Sequence, residues 1–77
     1  MADRPASPII YMTYTFNARK YEMVEAVNGT YWFNIYQWTS NHYSFIEAHR
    51  VWGSLEEAKS EAKHLIIVDL KARNELA

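Results

Sequence analysis

The pair Asn28-Gly29, set between two runs of alternating side chains, constrains this chain more than any other two residues. A type I′ turn needs positive φ at both central positions, which Asn and Gly accept most readily. Residues 21–27 (YEMVEAV) and the aromatic stretch that follows the turn therefore read as a β-hairpin. A two-residue turn sets Val27 opposite Thr30, Ala26 opposite Tyr31, Glu25 opposite Trp32, Val24 opposite Phe33 and Met23 opposite Asn34. One face then carries Val24, Ala26, Tyr31, Phe33 and Ile35, with Glu22 and Gln37 at its ends. The other carries Tyr21, Met23, Val27, Trp32, Tyr36 and Trp38, with Glu25 and Asn34 in its middle. An unpaired carboxylate or amide is costly at the centre of a core, so the Phe33 face is expected to be buried and the Trp32 face to look outward.

The flanking segments extend the pattern. Ile9 to Phe16 (IIYMTYTF) is β-branched and aromatic and reads as a first strand, joined through a polar loop at Asn17–Lys20. A four-residue loop there would put Ile10, Met12, Tyr14 and Phe16 on the Trp32 face and strengthen that face's claim to be core. After the interruption at Thr39-Ser40-Asn41, His42 to Val51 (HYSFIEAHRV) reads as a fourth strand. Ser54 with Glu57 three residues later is a capping-box signature, and Leu55, Ala58, Ala62, Leu65 and Ile66 form one apolar helical stripe behind it. Leu65 to Leu70 (LIIVDL) reads as more helix, with a fifth strand as the alternative, since no Gly or Pro breaks the run. The expected fold is α+β, a four-stranded antiparallel sheet in the order β-β-β-β-α with one C-terminal helix on one face. Residues 9–77 make one domain behind a flexible segment, residues 1–8.

Size and composition narrow the function. Seventy-seven residues hold one small core, and the absence of cysteine excludes a disulfide scaffold and a cysteine zinc module. No window nears the roughly 18 continuous apolar residues of a membrane span, and MADRPASP does not read as a signal peptide, so a cytoplasmic protein is expected. Asn28-Gly29-Thr30 matches a glycosylation acceptor but reads as a turn in that setting. The net charge is −1, without the Lys/Arg cluster that phosphate recognition usually leaves. Glu61 and His64 have a metal-site spacing that needs several facing helices to be of use, and they read as a solvated pair. Glu47 and His49 have no accompanying nucleophile or oxyanion signature and read as an ordinary polar pair. His42 lies beside a turn, and two glycines leave no phosphate-cradling loop. Neither catalysis, a cofactor, a metal nor a small-molecule substrate is expected.

A single helix covers only one face of a sheet, so the other is expected to bind a partner. The residues assigned to that contact are Tyr21, Glu22, Met23, Glu25, Trp32, Asn34, Tyr36 and Trp38, rich in the residue types of interface hot spots. In size and general make-up the chain resembles phage-encoded anti-CRISPR proteins. That resemblance implies a small inhibitor docked on a host protein or nucleoprotein complex, with Glu22 and Glu25 meeting basic groups. GTYWFNIYQW followed by VWGSLEEAKSEA, over Gly29 to Ile66, is similar to AP2-type and integrase arm-binding domains. There the implied function is a sheet lying in the DNA major groove, although this sheet offers Arg50 and no array of cations. A structural homodimer is the third expectation.

Overall fold

A computed structural model describes residues 9–74 as β1 (Ile9–Phe16), β2 (Arg19–Glu25), β3 (Tyr31–Thr39), β4 (His42–Val51) and α1 (Leu55–Ala72). The strands form one antiparallel sheet in the order β1-β2-β3-β4. Helix α1 lies across one face, as the sequence pattern predicts, and residues 65–70 belong to it rather than to a fifth strand. The expected flexible segment at residues 1–8 lies outside the described residues.

The turns decide which side chains share a face. Asn17 and Ala18 both have positive φ, 47° and 67°, so the primed two-residue turn joins β1 to β2. It places Met12, Tyr14 and Phe16 opposite Met23, Tyr21 and Arg19 on the helix side, not on the Trp32 face. Between β2 and β3 only Gly29 has positive φ, 83°. The Gly29 amide donates to the Ala26 carbonyl at 2.9 Å, and the Ala26 amide donates to the Thr30 carbonyl at 2.8 Å. This is a three-residue loop, a type I turn closed by a left-handed glycine.

The extra loop residue moves β2 by one position against β3. Glu25 pairs with Tyr31, Val24 with Trp32, Met23 with Phe33 and Tyr21 with Ile35. A one-residue slip exchanges the faces of a strand. Tyr21 and Met23, expected to point outward, are therefore fully buried, and Val24 joins the Trp32 face; β3 keeps its expected orientation. Deleting Val27, which is exposed, would leave Ala26 paired with Thr30 across an Asn28-Gly29 two-residue turn. That deletion is expected to preserve register and shift the thermal midpoint by only a few degrees, as ~0.5 kcal/mol does in a domain this small. Calorimetry of the deletion variant checks it.

The core joins Tyr21, Met23, Phe33, Ile35 and Val51 to Ala58, Ala62, Ile66 and Leu70. The four helix residues are four apart and form one stripe, and the alanines let α1 sit close over the stacked rings of Tyr21 and Phe33, whose centroids are 5.9 Å apart. The capping box is present: the Ser54 amide donates to Glu57 Oε1 at 2.7 Å, and the Glu57 amide donates to Ser54 Oγ at 3.3 Å. The Ser54 amide, and then the Ser54 hydroxyl, hold the Glu57 carboxyl below its usual pKa. Gly53 precedes the cap at φ 97°, and an added Cβ would collide with the Glu57 side chain. Gly53→Ala is expected to cost about 1–3 kcal/mol through lost capping and left-handed strain, read as a fall in thermal midpoint.

Three tyrosines donate to carboxylates: Tyr11 to Glu25 at 2.8 Å, Tyr21 to Asp69 at 2.5 Å and Tyr36 to Glu22 at 2.9 Å. All three hydroxyls titrate above their ordinary value. Burial is the main cause for Tyr21 and Tyr36, and the hydrogen bond to Glu25 is the main cause for Tyr11. A folded-state pKa above the unfolded one gives stability that is complete below about pH 10 and lost as pH rises toward the folded values. Urea midpoints measured across that range are expected to fall less steeply in a Tyr11→Phe/Tyr21→Phe/Tyr36→Phe variant than in the parent.

Candidate functional site

The face of the sheet away from α1 carries Lys20, Glu22 and Val24 from β2, Trp32, Asn34, Tyr36 and Trp38 from β3, and Tyr43, Phe45, Ala48 and Arg50 from β4. Alternation along each strand puts them there, with a bulge at Ile46 resetting the phase of β4. No described element covers this face, and its residues divide into three zones.

At the β3–β4 turn is an aromatic lobe. Trp38 meets Tyr43 edge to face at 5.0 Å, and Tyr36 meets Phe45 likewise at 5.9 Å. Phe45 is 60% exposed and Trp38 44%, so each ring has one side fixed by its neighbour and the other in water. A polar strip crosses the middle. The Lys20 ammonium lies 3.7 Å from Glu22 and sits over the Tyr36 and Tyr43 rings at 4.7 and 5.0 Å. Glu22 also accepts the Tyr36 hydroxyl and faces Asn34 across the ladder. At the far end Trp32 covers Val24, only 7% exposed, and its indole donates to Thr30 Oγ1 at 2.9 Å. Beside it the Arg50 guanidinium stacks on exposed Trp52 at 3.9 Å.

Of the residues expected to meet a partner, Glu22, Trp32, Asn34, Tyr36 and Trp38 share this face. Tyr21, Met23 and Glu25 lie on the helix side because of the β2 shift, with Glu25 bonded to Tyr11. Lys20, Tyr43, Phe45 and Arg50 were not among the expected contacts. For Tyr43 and Phe45 the signal was the Ser40-Asn41 pair, a two-residue turn that sets Thr39 opposite His42 and carries Tyr43 to Trp38; Lys20 reaches this face through the β2 shift and Arg50 through the bulge at Ile46. Glu47 and His49 hydrogen-bond along one strand on the helix side, each about half exposed, in keeping with an ordinary polar pair. Glu61 and His64 are exposed on α1. Among the described residues no helix is long and apolar enough to cross a membrane.

No protein-family model matches the chain, and neither curated proteins nor solved structures give a significant match.

Proposed function

We propose that this is a non-enzymatic protein-binding module whose uncovered sheet face docks on a partner protein. The observation that carries the reading is the lobe of Tyr36, Trp38, Tyr43 and Phe45, which presents large rings to water on a face that no described element covers. Rings already held edge to face lose little freedom on binding, so their burial goes largely into affinity. The Lys20–Glu22–Asn34 strip supplies paired, nearly neutral polar groups that fix orientation without a strong field of either sign. An inhibitor of a host protein or nucleoprotein complex, of the phage- or mobile-element type, is the form of binding that the chain's small size suggests.

Lys20 and Arg50 beside exposed rings favour a second reading, stacking on nucleic acid. The Lys20 charge is engaged by Glu22, and Arg50 is engaged by Trp52, which makes this reading secondary. The test is capture from the source cell by the wild-type chain beside Trp38→Ala/Phe45→Ala. Loss of a specific protein with the fold intact supports the first reading. Salt-dependent retention of random single or double strands, equal in strength to that of any protein, would replace it with the second.

A further inference from the structure

We propose that β1 is a self-pairing edge, through which two copies of the chain join into one eight-stranded sheet and leave both aromatic faces free. An edge strand presents unpaired N–H and C=O groups that only another extended strand satisfies well. The two-residue turn closes on Phe16 and Arg19, so antiparallel alternation directs the backbone groups of Thr13 and Thr15 away from β2. The bulge at Tyr11 ends the regular ladder on one side, leaving Met12–Phe16 straight.

The occupant follows from composition at the two edges. Strand β4, at the other end of the sheet, carries Glu47 and Arg50, charges of the kind that discourage pairing. Strand β1, IIYMTYTF, carries no charge, so a second copy opposes nothing of like sign. An antiparallel pair centred on Tyr14 sets Tyr14 against its own image, Met12 against Phe16 and Thr13 against Thr15, all favourable cross-strand partners. Tyr14 is 41% exposed in the single chain, which the pairing would relieve. A groove of about 380 Å³ runs beside the strand, and Met12, Tyr14, Ile66, Ile67 and Leu70 are among the residues that line it. Exposed Ile67 on α1 extends the apolar surface there to the helix layer.

Five residues of strand and a two-layer edge give about 17 Å by 20 Å, near 340 Å² per copy and roughly 700 Å² in all. That total lies in the size class of weak, reversible association, so a dimer that forms only toward the top of a concentration series is expected.

The experiment is sedimentation equilibrium of the whole chain over a concentration series. Wild type is expected to shift from one chain mass to two. Thr13→Lys/Thr15→Lys puts Lys opposite Lys twice across the axis and is expected to weaken the dimer about 10-fold or more. Thr13→Lys/Thr15→Glu puts Lys opposite Glu in both pairs and is expected to restore it. Circular dichroism of each variant shows whether the fold is kept, and the restored variant guards against a folding artefact, since it carries the same number of new charges. A wild-type mass of one chain up to ~1 mM, where even a millimolar Kd would show dimer, would overturn the proposal. A dimer lost in Trp38→Ala/Phe45→Ala but kept in Thr13→Lys/Thr15→Lys would overturn it as well.

Discussion

Phe33→Ala is expected to remove about 3–5 kcal/mol, a large share of the stability of so small a fold. Phe33 is fully buried, stacked on Tyr21 at 5.9 Å, and lies under the helix stripe. Removing a buried phenyl ring costs about 3–5 kcal/mol, and more where the site cannot close over the cavity. The buried cluster around it includes Ala58 and Ala62, side chains too small to fill the void. A domain of this length has roughly 4–12 kcal/mol in total at ~0.05–0.15 kcal/mol per residue. Urea titration followed by far-UV circular dichroism reads the loss. If Phe33→Ala moves the midpoint no further than the exposed-site change Trp38→Ala, the sheet is packed on its other face.

Trp38→Ala/Phe45→Ala is expected to do the reverse, removing binding and sparing the fold. Well-placed aromatic anchors cost about 2 kcal/mol or more each when truncated, roughly 30-fold apiece in Kd. Their truncation removes one edge-to-face contact each, Trp38 with Tyr43 and Phe45 with Tyr36, without opening the core. The urea midpoint is therefore expected to fall by only about 1 kcal/mol equivalent or less. Titration of a captured partner by calorimetry gives the affinity change, and the same protein in urea gives the stability change. A variant that binds as tightly as wild type removes the aromatic lobe from the interface.

The contrast between these two experiments rests on which parts of the fold the sequence made legible. The helix was readable because its signals are local: Ser54 and Glu57 are three residues apart, and Ala58, Ala62 and Ile66 repeat every four. The orientation of β3 was readable from Asn34, whose amide argued against burying the Trp32 side; Glu25, read as a second polar residue there, lies on the helix side instead. The orientation of β2 was not, because Asn-Gly serves two turns. It fits the centre of a two-residue type I′ turn, and it equally fits the end of a three-residue loop in which glycine alone is left-handed. Nothing within the turn separates these; the burial of Tyr21 and Met23 against Phe33 and Ile35 does, and that is a tertiary preference for the larger side chains. The first turn was obscured differently, since Ala18 at φ 67° adopts a conformation that alanine seldom takes and no residue-type rule flags it. The β2–β3 turn explains why five of the eight expected contacts share the open face and three lie behind it, and the β1–β2 turn explains why Met12, Tyr14 and Phe16 lie under the helix.

The order of the sheet has a kinetic consequence. Each strand pairs with the one before it, so every hairpin can close through a loop of two or three residues at small entropic cost, independently of the rest. The ties between α1 and the sheet are remote by comparison: the Tyr21 hydroxyl reaches Asp69 across 48 residues of chain, and Arg19 reaches the same carboxylate across 50. Seating of the helix is thus expected to be the late step of folding. Until it happens the nascent sheet is aromatic on both sides, and the surface proposed to meet a partner has a competitor on its own reverse. The speed with which the capped helix closes over Tyr21 and Phe33 then sets how long a newly made chain can be mistaken for its own target.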